Sequence, residues 1–379
     1  MKRIGYIYEK IYDKENLRTA IYKAAKGKSD KRNIKFILDN IDKFIDRLHE
    51  DLKNETYKLS ENRIKYIKDG PRQKERIITV PAFYPDQVIH WALTLQIQKV
   101  MSKGMYYYNC GSVPGKGALF AKNYVERVLK TNPKYALKID IKKFFPSISN
   151  EKMKQLFKRK IKDDKVLRLI DAIIDNGGKG LPIGYYTSQW FSNFYLEELD
   201  HFIKEVIKIP YYVRYVDDMI LFSNNKRQLH QTKNMIEEFL TGYEYRLKIK
   251  NNWQVFQVSK RPIDFVGYQM SPGFTKLRKH IFIRLNRCSN RLSKKITLKN
   301  ARSLVSMMGW MIHTSNGKRY IEKYIEPLSN TTNLKKYIGR IQKHENNRIS
   351  ARADRTSSNS CQSRINSFHP QEYQSSRAT

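Results

Sequence analysis

The first sustained apolar pattern runs through Ile34, Ile37, Leu38, Ile41, Phe44, Ile45, Leu48 and Leu52, a spacing that predicts one amphipathic helix with a basic outer face. Between Tyr57 and Val80 the pattern becomes strand-like, and Lys68-Asp69-Gly70-Pro71 reads as a turn. A first arm through Ile64 and Tyr66 and a second through Ile77, Ile78 and Val80 predict a basic hairpin. A further helix opens near Asp86 and carries Val88, Trp91, Ala92 and Leu95. The Gly-rich stretch Gly111–Gly117 that follows is not a phosphate-binding P-loop. It is one residue short between the first glycines, has no Ser or Thr after Lys116, and is not preceded by a strand. From Tyr135 to about Met270, short apolar strands alternate with longer helical patterns, which predicts a sheet domain with helices packed on it. From Thr275 to about Gly339 the pattern is mostly helical and very basic. Beyond Arg340 the apolar residues thin out, and such a composition cannot bury enough surface to offset its ordering entropy, so a flexible basic tail is expected over 340–379.

Charge narrows the partners. Lys and Arg number 73 against 36 Asp and Glu, a net +37 spread along all 379 residues, which suits a long polyanion better than one small ligand. The 25 Tyr and 17 Phe scattered among the lysines suit base and sugar stacking, so nucleic acid is favoured over an anionic membrane. There is no apolar run of spanning length and no signal-peptide core after Met1-Lys2-Arg3, so a soluble, cytoplasmic protein is expected. Cys110, Cys288 and Cys361 are far apart and odd in number, which argues against a disulfide framework or a thiolate zinc site. The histidines are equally dispersed, so any metal chemistry must rely on carboxylates.

Two segments carry acids in suggestive places. In Tyr135-Ala136-Leu137-Lys138-Ile139-Asp140-Ile141, alternation puts Leu137, Ile139 and Ile141 on one face and Lys138 and Asp140 on the other. Asp140 thus emerges at a strand end, away from the core. In Tyr212-Val213-Arg214-Tyr215-Val216-Asp217-Asp218-Met219-Ile220-Leu221-Phe222, two apolar arms flank a pair of acids where the chain must turn. Carboxylates held a few ångströms apart repel by about 1 to 4 kcal/mol per pair. Bound cations remove that penalty, and two Mg²⁺ ions about 3.5 to 4 Å apart would activate a primer 3′ hydroxyl and stabilise departing pyrophosphate.

These motifs, in this order, resemble the palm of reverse transcriptases, and in particular those of diversity-generating retroelements. The resemblance covers roughly Tyr57 to His313. It implies an α+β right-hand polymerase fold with an N-terminal helical extension over 1–56, fingers over 57–134, a palm over 135–270 with fingers helices interspersed around 150–180, and a helical thumb over 275–339. It implies Asp140, Asp217 and Asp218 as catalytic acids, and Asp140, Ile141, Asp217 and Asp218 as the surroundings of two Mg²⁺ ions, with Mn²⁺ able to substitute. Phe145 falls where the family places a bulky side chain against the sugar 2′ position, while Phe144 is expected to pack in the core. In the fingers hairpin, Lys65, Arg72, Lys74 and Arg76 resemble the element that clamps the triphosphate, with Arg76 best placed and Lys65 second.

Between the acidic motifs, Gly180-Leu181-Pro182-Ile183-Gly184-Tyr185-Tyr186-Thr187-Ser188-Gln189 enters a helix whose Phe191, Phe194, Tyr195 and Leu199 face the core. Most reverse transcriptases have Gln before the second Gly and Pro after the Ser; Ile183 and Gln189 here are the variant that marks the diversity-generating group, where it is associated with loose selection opposite template adenines. Ile183, Gly184 and Gln189 are therefore expected at the nucleotide. Lys248 and Lys250 compete for a role in pyrophosphate departure, and Phe265, Gly267 and Tyr268 resemble the primer grip. The function implied is copying of a template RNA from a primer, with dNTPs as substrates and cDNA as product, for targeted diversification of a gene, in a bacterial or phage setting with a small basic accessory protein. A defence-associated or group II intron-like reverse transcriptase would share the acids, and an idle RNA-binding scaffold would share the charge.

Overall fold

A computed structural model describes residues 3–69, 73–242, 244–329, 333–334 and 336–340, without the side chains of Asp69, Lys74 and Ser329. The expected turn at Gly70-Pro71, the candidate Arg72, the side chain of the candidate Lys74 and the tail from 341 onward lie outside the described residues.

Strand-forming sequence gathers into three antiparallel sheets. The first is the basic hairpin, β1 (Arg63–Asp69) and β2 (Lys74–Val80), with Lys65 opposite Ile78 and Ile67 opposite Arg76. Pairing reaches Asp69, so Lys68 and Asp69 belong to the first arm rather than to the turn expected there. A four-stranded sheet follows, in the order β4-β5-β3-β6, from β3 (Tyr135–Asp140), β4 (Tyr211–Tyr215), β5 (Asp218–Ser223) and β6 (Gln254–Gln257). The third sheet is the meander β7 (Ile263–Phe265), β8 (Tyr268–Ser271) and β9 (Phe274–Leu277).

The period-two pattern of β3 explains its place at the centre. Leu137, Ile139 and Ile141 have no exposed surface and join the main core, while Lys138 and Asp140 stay partly open on the opposite face. The free edge of β4 is covered by the chain at Tyr108–Cys110, through Arg214 N to Tyr108 O at 3.1 Å and Cys110 N to Arg214 O at 2.8 Å. An edge capped in this way offers no template for pairing with another chain.

The helix expected near Asp86 is Val88–Ser102, and it is apolar around most of its circumference because it is enclosed: Val88, Ile89, Ala92, Leu93 and Ile97 have no exposed surface. The single amphipathic helix expected over Ile34 to Leu52 is instead two, Arg32–Asp39 and Ile41–Lys53. Asn40 breaks it, leaving helical geometry at φ −124° and ψ 33° while its side-chain amide donates to the Phe36 carbonyl at 2.9 Å. A short polar side chain that bonds the preceding turn competes with the helix ladder, and the apolar phase survives the break because both pieces bury their stripes in the same core. Similarly, Leu199 lies not on the helix Tyr186–Tyr195 but on the next one, Glu197–His201, still fully buried.

The described chain divides into two compact units. One comprises residues up to Arg284 together with Trp310–Lys318, and holds all three sheets. The other comprises Leu285–Gly309 and the described residues from Arg319 onward; it is helical, with Leu285, Leu292, Ala301, Leu304 and Ile321 buried.

Candidate active site

Strand register brings the acids together. Asp140, last residue of β3, pairs directly with Asp218, first residue of β5, and Asp218 also pairs with Tyr215 of β4. Val216 and Asp217 form the two-residue link between β4 and β5. Val216 has φ +58°, an uncommon conformation for a β-branched residue. Asp217 lies near enough to Asp140 for the two carboxyls to raise the cost of ionising together.

Burial and like charge dominate the electrostatics here. Burial first, then the Asp140 carboxyl, push the Asp217 pKa up to about 7, against the pull of the Lys250 ammonium. Burial likewise raises Asp218 to about 6, with Lys138 opposing and Asp140 adding to the rise. Positive charge arrives from two sides: Lys250 Nζ lies 2.5 Å from Asp140 Oδ2, and Lys138 Nζ lies 3.5 Å from Asp218 Oδ2. The remaining oxygens, Asp140 Oδ1 and Asp218 Oδ1, are buried with no hydrogen-bond partner. Buried acceptors of this kind are rare unless something else satisfies them. Among the described residues no three carboxylates, imidazoles or thiolates converge as a ready-made cation cluster. The donor set nevertheless fits hard divalent cations, since it consists of carboxylate oxygens, two of them orphaned, whose mutual repulsion a cation would relieve. Ile141 is fully buried beside them and bridges Ile249.

The same bridge separates the two candidate lysines. Lys250 N donates to the Asp140 carbonyl and Lys142 N to the Lys248 carbonyl, both at 2.8 Å, so Lys250 falls opposite an acid and Lys248 opposite another lysine. Of the two, Lys250 reaches Asp140, whereas the Lys248 side chain is exposed. Phe144 is buried, whereas Phe145 is half-buried, with the two rings edge to face at 5.6 Å. Lys65 and Arg76 project from one face of the β1–β2 hairpin, a consequence of the Lys65–Ile78 and Ile67–Arg76 register, and both are exposed.

That hairpin is fastened to the loop before Tyr186 by Thr79 N donating to Ile183 O at 2.8 Å. Gly184, at φ +126°, lies so close that a Cβ there would stand 2.1 Å from the Thr79 carbonyl oxygen, so only glycine fits. Gln189 accepts from the Ser112 hydroxyl at 3.0 Å and lines a recess of about 550 Å³ shared with Lys23, Lys26, Trp91 and Tyr186. On the other side of the acids, Phe265 is fully buried and Gly267, at φ +88°, packs against the Trp310 ring, where a Cβ would come within 2.5 Å. Tyr268 stacks on that ring at 5.6 Å.

Several side chains at the site had no role assigned from sequence. Lys138 donates to the Asp264 carbonyl at 2.5 Å besides neutralising Asp218, so it joins the acids to the β7–β8 meander. Arg278 pairs with Asp264. Beneath the acidic turn, Arg214 and Asp200 form an ion pair with no exposed surface on either side chain. Sequence did hold a signal for this pair: an arginine inside an apolar strand needs a buried partner.

An antiparallel sheet that sets a strand-end acid against an acidic hairpin belongs to a nucleotide polymerase of the right-hand fold, mixed helix and sheet. Residues 67–270, more than half of the chain, match the family described as reverse transcriptase (RNA-dependent DNA polymerase), and the chain belongs to that family. It is 36% identical over 106 residues to the Retron Ec73 reverse transcriptase of Escherichia coli, a match covering 24% of this chain and about a third (34%) of that protein. Two similar solved structures are the apo telomerase of Candida tropicalis truncated from its C-terminal domain and the Candida albicans telomerase with a TWJ fragment of telomeric RNA. The first has a TM-score of 0.43 at 16% identity, over 60% of this chain and 58% of that one. The second has a TM-score of 0.45 at 13% identity, over 73% and 57%. Among the described residues no helix is long and apolar enough to cross a membrane.

Proposed function

We propose that this chain is an RNA-directed DNA polymerase that extends a primer along an RNA template. The observation that carries the reading is the direct pairing of Asp140 with Asp218 across the β3–β5 register, with Asp217 in the adjoining turn and two buried carboxylate oxygens left unpartnered. Asp140 and Asp217, with Asp218 and Ile141 beside them, would hold Mg²⁺ or Mn²⁺. Two such cations supply activation of the primer 3′ hydroxyl and charge stabilisation of the departing pyrophosphate. Lys250, already beside Asp140, is the cation placed to assist pyrophosphate departure. Phe145 is the bulky group that excludes a ribose 2′ hydroxyl, and Arg76 with Lys65 binds the triphosphate, Arg76 through its forked guanidinium.

The finer reading is a diversity-generating retroelement enzyme, error-prone at template adenines, acting in the cytoplasm with a small basic accessory protein. Ile183 and Gln189 support it. An apolar side chain at 183 removes a polar group that could check the base pair, and unpaired polar groups are what enforce strong discrimination. The identity to a retron enzyme favours a second reading, a retron-type reverse transcriptase with the same acids. Purified protein with a defined RNA, a primer, dNTPs and Mg²⁺ tests both. Extension that Asp217→Ala abolishes while RNA binding persists supports the polymerase, and equal extension by both proteins refutes the metal assignment. Sequenced cDNA with errors concentrated opposite adenines supports the diversity-generating reading, and evenly spread errors oppose it.

A further inference from the structure

The pair beneath the acidic turn is costly to bury, so what it holds matters. Arg214 and Asp200 are both fully enclosed, and taking two charges out of water is repaid only when geometry and further hydrogen bonds are good. Here they are. Arg214 donates through Nε and Nη2 to the two oxygens of Asp200, at 2.8 and 2.5 Å, and the Tyr212 hydroxyl adds a bond to Asp200 at 2.7 Å. Nη1, which does not touch Asp200, donates to the Val216 carbonyl at 3.0 Å and to Asn193 Oδ1 at 3.3 Å. The amide of Asn193 in turn donates to the Gly111 carbonyl at 2.5 Å.

Val216 is the residue that needs holding. Its φ of +58° is disfavoured for a branched side chain, and such a conformation persists only where the surroundings over-determine it. Two contacts do so. Arg214 fixes its carbonyl, and Gly111 closes on its other side, where a Cβ would come within 2.7 Å of the Val216 nitrogen and 2.5 Å of Cγ2. Asn193 joins the two, since it bonds both the guanidinium and Gly111.

We propose that Arg214 is a positioning residue for the catalytic turn: anchored on Asp200, it fixes the Val216 carbonyl and thereby aims Asp217 at Asp140. The inference rests on the polymerase reading of those acids. A lysine at 214 keeps the charge that Asp200 requires, but an ammonium is a single point of donation. It cannot fork across both Asp200 oxygens and still reach Val216.

The test compares wild type, Arg214→Lys and Asn193→Ala by single-nucleotide primer extension on an RNA template, with thermal melting and primer–template affinity measured alongside. A displaced turn costs chemistry and leaves binding intact, and a misplacement of about an ångström lowers rates by on the order of 100-fold. The expected result for Arg214→Lys is a fall in kcat of about 10- to 100-fold, with KM for the dNTP and Kd for the primer–template within about twofold. Asn193→Ala, which leaves no charge unpaired, is expected to show a smaller fall in kcat with the same split, and it decides the question if Arg214→Lys does not fold. Folded variants with wild-type kcat overturn the proposal, as does a loss that falls equally on Kd. Wild-type protein that extends no primer is a separate result, which removes the polymerase reading and this proposal with it.

Discussion

Asp217→Asn should make the cation-free protein more stable while destroying its activity. In the folded chain, partial burial and the Asp140 carboxyl push the Asp217 carboxyl up from the ordinary carboxylate range to about 7. A group whose folded pKa is raised stabilises the fold while protonated and loses that advantage as pH rises through the folded value. The penalty therefore grows between about pH 4 and pH 7 and is complete at pH 8, with an upper bound of ~4 kcal/mol for a group displaced this far. Local relaxation and water penetration recover part of it, leaving ~1 to 2 kcal/mol to be regained by a neutral side chain. In EDTA at pH 8 the variant should melt about 1 to 4 °C above wild type, and at pH 5 the gap should shrink to less than half. With Mg²⁺ and primer–template, extension should drop by ~1000-fold or more. A variant that melts below wild type at pH 8, or a gap independent of pH, would refute the reasoning about paired acids.

Gly184→Ala should detach the β1–β2 hairpin from the Ile183-Gly184 loop, because the new methyl collides with the Thr79 carbonyl and breaks the bond from Thr79 N to Ile183 O. The strain and the lost bond amount to ~2 to 4 kcal/mol, to be read as faster hydrogen exchange at the Thr79 amide and a roughly tenfold loss of extension. Lys250→Met should lower kcat by about 10- to 100-fold, while Lys248→Met, which removes an exposed charge, should change it by less than about twofold; similar losses in both would contradict the register argument. Phe145→Ala should narrow the preference for dNTP over rNTP by about 100-fold in kcat/KM ratios, with the dNTP rate itself little changed.

What could be read from the sequence followed from periodicity. The alternation in Tyr135–Ile141 placed Asp140 on the open face of a strand, because a half-buried strand repeats every second residue. The apolar arms around Asp217-Asp218 likewise announced a hairpin. What could not be read depended on register and depth. Lys248 and Lys250 are two residues apart and chemically alike, and only the pairing of Ile141 with Ile249 sets one against Asp140 and the other against Lys142. Arg214, a charge inside an apolar strand, signalled a buried partner but not which one, since its role needs Asp200, Asn193 and Val216 brought together from separate segments. The break at Asn40 was hidden because the apolar stripe continues in phase across it. Gln189 stood out as a motif variant, but its bond to Ser112 joins residues far apart in the chain.

The central claim is that Asp140 and Asp217 share one cation pocket at the turn. A crystal of the protein with RNA template, DNA primer, an unreactive dNTP analogue and Mn²⁺ would test it by anomalous scattering. Manganese peaks are expected bounded by the Asp140 and Asp217 carboxylates, with Lys250 turned away from Asp140. Peaks elsewhere, or an Asp140 still paired with Lys250 and no metal between the two acids, would contradict it.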